Sequence, residues 1–132
     1  MIRVGDLERS IKFYTEALGM RLLRKWDCPA DKFTLAFLGY GTESETAVLE
    51  LTYNYDQTEY KHGEAYGHIA IGVEDVKEEV ERLKKMNVPI DYDSGDGFMA
   101  FIVDPDGYYI ELLNTKQMVK RAEEHMKEQG TS

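Results

Sequence analysis

One residue pattern occurs twice in this chain, and this internal repeat restricts the possible folds more than any other feature. The segment Val4–Met20, VGDLERSIKFYTEALGM, matches Val73–Val88, VEDVKEEVERLKKMNV, at a shift of 69 residues that pairs Val4 with Val73. Both segments begin at the end of a strand and continue with an aspartate suited to N-capping, Asp6 or Asp75, followed by apolar residues at helical spacing. The chain is therefore expected to use one strand-and-helix unit twice.

Two further matches follow in the same order. LAFL (Leu35–Leu38) resembles MAFI (Met99–Ile102) at a shift of 64, and VLEL (Val48–Leu51) resembles YIEL (Tyr109–Leu112) at a shift of 61. Turn signals separate these strands: GYG follows the segment LAFL, and DPDG precedes YYIELL. Each half thus reads as a strand, a helix and two or three strands. The predicted fold class is α+β, with two tandem β-α-β-β-β modules forming curved mixed sheets, plus a C-terminal helix.

The chain has 132 residues, of which 42% are hydrophobic, and this fits a single domain over residues 1–132. We predict a first module over 1–60, a second over 65–114, and a C-terminal helix and tail over 115–132. The chain opens inside a strand, so the first strand is expected to be truncated. In the terminal helix, apolar side chains share one face and suggest a docking surface: Met118, Ala122 and Met126.

Charge and composition exclude several classes of protein. The net charge of −9 argues against nucleic acid as a partner, and it leaves either solubility or a cationic ligand as its explanation. No apolar run is long enough for a membrane span, and charged residues interrupt any secretory signal. A lone cysteine, Cys28, cannot form an intramolecular disulfide, so we expect a cytoplasmic protein.

Two glutamates and a histidine are candidate metal ligands. Glu50 and Glu111 occupy equivalent mid-strand positions in the two halves, each among apolar residues, and His68 shares a strand face with the small Ala70 and Gly72. A single strand glutamate usually faces solvent on an antiparallel sheet. The repetition at equivalent positions, with a nearby histidine, instead favours a divalent transition-metal site.

The repeat also predicts a ligand that the sequence does not contain. If His68 binds the metal in the second half, a shift of 69 residues places its counterpart two positions before Met1. The opening segment MIRVGDLERSIKFY is then the later part of a strand whose earlier part would carry a histidine. We expect this chain to be short of that ligand, and weak in metal binding and activity for that reason.

Several motifs together resemble glyoxalase I (lactoylglutathione lyase), of the vicinal oxygen chelate superfamily. The resemblance runs from Met1 to about Asn114 and is carried by five segments: MIRVGDLERSIKFYTEALGM, LAFLGYG, ELTYN, YGHIAIGV and DPDGYYIELL. It implies isomerisation of the hemithioacetal of methylglyoxal and a thiol to an S-D-lactoyl thioester, in methylglyoxal detoxification. It also implies an obligate homodimer in which one subunit's first module and the other's second module share each active site.

The resemblance also implies roles for individual residues. Glu50, His68 and Glu111 match the metal ligands, with one divalent ion per site, nickel first and zinc or cobalt as alternatives. Glu111 also matches the base. The remaining expected substrate contacts are Arg3 and Asn54, for the γ-glutamyl part of the thiol, together with His68, Asp91 and Tyr92.

The acidic segment IDYDSGDGF bears on the identity of the thiol. It carries Asp91, Asp93 and Asp96 and no lysine or arginine, whereas glutathione-using members tend to have basic residues there. The chain is in this respect most similar to the trypanothione-dependent branch, so trypanothione or glutathionylspermidine is expected, with glutathione as the alternative. An ordinary acidic loop would explain the same residues.

Two other functions stay open on the same scaffold. An extradiol-type dioxygenase would use a His, His, Glu iron site, and Glu50 as a fourth protein ligand argues against it. A metal-free or weakly active binding module is disfavoured by the retention of Glu50, His68 and Glu111, but favoured by the missing histidine. The metal content of the purified protein separates these functions.

Overall fold

The chain folds into two compact units in a computed structural model that describes residues 1–130. The first unit comprises Met1–Tyr66 together with the loop Asp104–Gly107, and the second comprises Gly67–Val103 and residues 108–130. Each unit contains a four-stranded mixed sheet and helices, which confirms the predicted α+β class. Residues 131 and 132 of the predicted C-terminal tail lie outside the described part of the chain.

In the first unit, the strands are ordered β1-β4-β3-β2 across the sheet. β1 runs parallel to β4, and the other neighbours are antiparallel. The elements are β1 (Ile2–Arg3), α1 (Leu7–Lys12), a π-helical turn (Phe13–Ala17), β2 (Arg21–Cys28), β3 (Phe33–Gly39) and β4 (Leu49–Asn54).

In the second unit, the sheet has the equivalent order β5-β8-β7-β6, again with one parallel pair, β5 with β8. A longer helix, α3, follows the last strand. The elements are β5 (His68–Val73), α2 (Val76–Lys85), β6 (Ile90–Asp93), β7 (Met99–Val103), β8 (Tyr109–Asn114) and α3 (Thr115–Glu128).

The hydrogen-bond register of the two sheets confirms the repeat residue by residue. In each unit, a leucine on the strand that comes last in sequence, β4 or β8, has two partners. It pairs with an isoleucine on the parallel neighbour and with an alanine on the antiparallel neighbour. The shifts between equivalent residues are the three seen in the sequence: 69 for Ile2 and Ile71, 61 for Leu51 and Leu112, and 64 for Ala36 and Ala100.

Both module helices begin at the predicted aspartates. The side chain of Asp6 accepts a hydrogen bond from the backbone N–H of Arg9 at 3.1 Å, and Asp75 does the same for Glu78 at 3.0 Å. The helices end differently, because α1 widens into the π-helical turn, in which Leu18 N–H donates to the carbonyl of Phe13, five residues earlier. The pattern of apolar residues predicted the helix but not this widening.

The buried face of each sheet packs against its own helix. Alternate strand residues point inward, as the period of two requires. In the first unit the fully buried apolar side chains are Val4, Tyr14, Ala36, Leu38 and Leu51, and in the second they are Val76, Val80, Leu83, Ala100, Ile102, Ile110 and Leu112.

The loop Asp104–Gly107 is anchored in the first unit by the carboxylate of Asp106. Its Oδ1 accepts hydrogen bonds from the Gly5 N–H at 2.8 Å and from the Arg9 guanidinium at 3.1 Å. Its Oδ2 accepts from the Ser10 hydroxyl at 3.1 Å. Asp106 therefore ties the residues that follow β1 to the first turn of α1.

A second anchor lies in the core. The hydroxyl of Tyr14, a fully buried side chain, donates to Oδ2 of Asp104 at 2.6 Å. Burial, and next the neighbouring Asp104 carboxylate, raise the pKa of the Tyr14 hydroxyl far above its usual value, so the hydroxyl stays protonated and keeps donating.

Asn114 is the N-cap of the terminal helix α3, and its side chain accepts a hydrogen bond from the Gln117 N–H at 2.9 Å. None of the residues of α3 is buried. Arg121 places its guanidinium 3.6 Å from the centroid of the Phe98 ring, which connects the helix to its own unit. The docking role of its apolar stripe stays a prediction. Within residues 1–130, no helix has the length and apolar character needed to cross a membrane.

Candidate active site

In the second unit, two of the predicted ligands form a close pair. His68 lies opposite Tyr109 on the parallel strands β5 and β8, so Glu111, two residues further on, is its diagonal neighbour on the same face. Nε2 of His68 is 2.8 Å from Oε2 of Glu111. The Glu111 side chain is 11% exposed and that of His68 is 43% exposed, so the imidazole covers a largely buried carboxylate.

A cross-strand row of side chains surrounds Glu111. It runs over four strands and contains Tyr92, Phe101, Glu111 and Ala70. The rings of Phe101 and His68 meet edge to face, with centroids 5.0 Å apart, so Phe101 supports the imidazole as well as flanking the glutamate. Tyr92 reaches this row because a β-bulge between Ile90 and Tyr92 inserts one residue, Asp91, into the edge strand.

In the first unit, the equivalent row contains Arg24, Phe37 and Glu50. A bulge at the matching place, between Leu22 and Arg24, brings Arg24 opposite Phe37. The Arg24 guanidinium lies 3.7 Å from the Phe37 centroid, and its Nε donates to Glu43 at 2.9 Å. Glu50 is half-buried on this row, in the position that Glu111 has in the second unit.

The two expected γ-glutamyl contacts share the same face of the first sheet. Arg3 is opposite Thr52 on the parallel strands β1 and β4, which makes Asn54 its diagonal neighbour, the same relation that His68 has to Glu111. Nδ2 of Asn54 donates to the hydroxyl of Tyr60 at 3.1 Å. A cation and an oriented carboxamide thus lie side by side on this face.

The acidic segment contains carboxylates in two different situations. Asp93 accepts from Gly95 N–H at 2.9 Å, and Asp96 accepts from the Ser94 hydroxyl and from Phe98 N–H, so both shape the turn. These hydrogen bonds, the Ser94 one first, lower the pKa of the Asp96 carboxyl. The side chain of Asp91 is exposed at the bulge and makes no hydrogen bond or ion pair within residues 1–130.

Sequence reasoning did not single out Phe37, Phe101, Arg24 or Tyr60. The two phenylalanines could have been found, because the matching words LAFL and MAFI align them at the shift of 64. Arg24 and Tyr60 could not, since a bulge and a loop contact bring them to the site.

The donors present suit a divalent transition metal. A buried carboxylate beside an imidazole nitrogen is a common ligand pair for nickel, zinc or cobalt, and Glu50 offers a further oxygen. No group of three or more histidine, cysteine, aspartate and glutamate side chains that could hold a metal ion occurs within residues 1–130 of one chain. His68 and Glu111 are therefore two candidate ligands without a third from the described residues of the same chain.

Comparison with known families gives a match over most of the chain. The profile of the Glyoxalase/Bleomycin resistance protein/Dioxygenase superfamily matches residues 1–112. A probable lactoylglutathione lyase of Vibrio cholerae is 51% identical over 122 residues, which cover 89% of this chain and 88% of that protein. The lactoylglutathione lyase of Salmonella typhimurium is 49% identical over 121 residues, covering 88% of this chain and 90% of that protein.

Solved structures give the same result. The trypanothione-dependent glyoxalase I of Leishmania major is 72% identical, with a TM-score of 0.96, and the match covers 100% of this chain and 95% of that chain. Glyoxalase I from Zea mays is 46% identical with a TM-score of 0.80, and the match covers 85% of this chain and 42% of that one.

Proposed function

Because this chain belongs to the Glyoxalase/Bleomycin resistance protein/Dioxygenase superfamily and is an enzyme of the lactoylglutathione lyase type, we propose a specific reaction for it. It isomerises the hemithioacetal of methylglyoxal and a polyamine-bearing thiol to the S-D-lactoyl thioester, and it depends on one divalent metal ion per site. This reaction removes methylglyoxal, and a cytoplasmic location is part of the proposal, supported by the lone cysteine Cys28.

The single observation that carries the proposal is the contact between His68 and Glu111. The carboxylate is largely buried, yet its Oε2 lies 2.8 Å from an imidazole nitrogen on the exposed side. A buried carboxylate needs a partner, and a carboxylate that serves as a base must be reachable by its substrate. Glu111 has its partner in His68, and its side chain keeps an exposed fraction of 11% through which a substrate can reach it.

His68, Glu111 and Glu50 would hold the metal. Bound there, a divalent ion supplies Lewis-acid stabilisation of oxyanion charge that develops on the substrate oxygens. Phe101 fixes the imidazole from its edge, and the restricted exposure of Glu111 keeps bulk water from the carboxylate.

Glu111 transfers the proton. Its carboxylate takes the proton from the carbon that bears sulfur and hydroxyl, leaving an enediolate, and the proton returns to the neighbouring carbon. The hydroxyl proton leaves its oxygen, so that this carbon becomes the thioester carbonyl, and a proton is taken up by the former carbonyl oxygen, so that its carbon becomes the carbinol of the lactoyl group. No atom is gained or lost, so no oxidant or reductant is required.

Asp91 is the residue we assign to recognition of the thiol's polyamine arm. Its carboxylate is exposed and has no partner within residues 1–130, whereas Asp93 and Asp96 are engaged in the turn. Tyr92, half exposed on the row of Glu111, adds an aromatic surface that favours the methylene groups and ammonium centres of a polyamine.

We also propose a homodimer in which Glu50 of one subunit and the His68–Glu111 pair of the other serve one metal ion. The chemical support is that each unit presents only part of a ligand set, while the open sheet faces carry half-exposed aromatic side chains, Phe37 and Phe101. Open faces of this kind are commonly covered by another subunit.

Metal removal tests the reaction. The protein is dialysed against a chelator and assayed at the thioester absorbance with methylglyoxal and trypanothione, and then with methylglyoxal and glutathione. We expect thioester formation to disappear with the metal and to return with nickel, zinc or cobalt, with trypanothione preferred. Full activity after complete metal removal, or a preference for glutathione, would contradict the proposal.

A further inference from the structure

Tyr60 and Asn54 form a contact that the reaction described above does not use. The Tyr60 hydroxyl accepts the hydrogen bond from Nδ2 of Asn54, at 3.1 Å in partly buried surroundings. The carboxamide has two ends, and only its nitrogen is engaged in this way. Within residues 1–130, no group donates a hydrogen bond to Oδ1 of Asn54.

The chemistry of a carboxamide makes this orientation consequential. An asparagine can present either a donor or an acceptor, since a flip about its last bond exchanges the nitrogen and the oxygen. With the nitrogen donating to the Tyr60 hydroxyl, Oδ1 is left as the acceptor for a ligand group that binds beside Arg3. A γ-glutamyl group carries one carboxylate, which suits Arg3, and one ammonium, which suits a carboxamide oxygen.

The segment that carries Tyr60 is firmly seated. A Cβ atom added at Gly5 would lie 2.0 Å from the carbonyl oxygen of Thr58, so only glycine permits the backbones to approach this closely. Gly5 in turn donates its N–H to Asp106 at 2.8 Å. The backbone two residues before Tyr60 is therefore packed closely against Gly5.

We infer that Tyr60 is a positioning residue. It fixes the Asn54 carboxamide with its oxygen available to the α-ammonium group of the substrate's γ-glutamyl moiety. The inference rests on the proposed function, together with the assignment of that moiety to Arg3 and Asn54 that the resemblance to glyoxalase I implies.

Binding of two matched ligands tests the inference. S-Methylglutathione and its analogue without the γ-glutamyl α-amino group are titrated by calorimetry into wild type, Tyr60→Phe, Asn54→Ala and the double variant. We expect Tyr60→Phe to weaken S-methylglutathione about three- to tenfold, the effect of one lost hydrogen bond, and to leave the deamino analogue unchanged. The double variant should bind no more weakly than Asn54→Ala.

Tyr55→Phe is the matched control. It also removes a tyrosine hydroxyl with a side-chain hydrogen bond, here to Thr34 at 3.0 Å in the same unit, and it should leave both affinities unchanged. Three results would overturn the inference. Tyr60→Phe could lower the affinity for both ligands equally, or it could lower the affinity further on the Asn54→Ala background. Asn54→Ala could also leave the affinity for S-methylglutathione unchanged. Thioester formation by wild type is followed in parallel, so a failure of the proposed reaction is seen separately from these affinities.

Discussion

The two sheets of this protein share one backbone plan and differ in the side chains placed on it. In both, a glutamate sits opposite a phenylalanine, and a β-bulge brings the next side chain of the row into line. That next side chain is Arg24 in the first unit and Tyr92 in the second. Register and bulges are thus repeated in the two sheets, whereas the side chain that follows the phenylalanine in the row is a cation in one and an aromatic ring in the other.

The largest expected effect is a difference in kcat between variants of the two equivalent glutamates, Glu111 and Glu50. Glu111→Gln should lower kcat by about 10³-fold, because the amide cannot take the proton. Glu50→Gln should act mainly through metal affinity, so that excess metal restores much of the rate. Both variants are assayed for thioester formation over a metal titration, with circular dichroism to check folding. Equal losses that excess metal rescues equally would mean that Glu111 is only a ligand.

The second prediction concerns the shared scaffold. Leu51 and Leu112 are buried at equivalent positions, and each leucine-to-alanine change should lower the free energy of unfolding by about 3 kcal/mol. Chemical denaturation followed by tryptophan fluorescence and circular dichroism measures both. Destabilisation that differs by more than about 2 kcal/mol between the variants would show that the two cores are less alike than their registers.

The smallest expected effect tests how the bulges differ. Asp91 is the inserted residue in the second sheet, and Asp91→Lys should shift kcat/KM from trypanothione toward glutathione by about tenfold, because it repels a polyamine and attracts a free carboxylate. Glu81→Lys, an exposed change of equal charge on α2 of the same unit, is the control. A ratio of the two thiols that moves equally in both variants would assign the effect to net charge rather than to Asp91.

Much of this scaffold could be predicted because it is encoded locally. The caps at Asp6 and Asp75, the strand words and the turn DPDG each depend on a few neighbouring residues. The equivalence of Glu50 and Glu111 followed from the alternation of side chains along a strand, and the register of each sheet agrees with it.

The remainder depends on contacts between distant parts of the chain. The π-helical turn contains Tyr14, whose hydroxyl donates a hydrogen bond to Asp104, a residue 90 positions away in sequence. The bulges at Leu23 and Asp91 depend on the neighbouring strand rather than on local preference. The hydrogen bond from Asn54 to Tyr60 depends on how the loop after β4 folds back, which hydrophobic periodicity does not report.

The loop Asp104–Gly107 lies late in the sequence but packs in the first unit. A gene divided after the codon for Tyr66 would therefore yield an N-terminal fragment without the partners of Gly5, Ser10 and Tyr14. A chain that arose by duplication of one module could no longer be returned to two independent genes by a simple cut. Within this chain, the first unit depends on a loop that the sequence supplies only after β7.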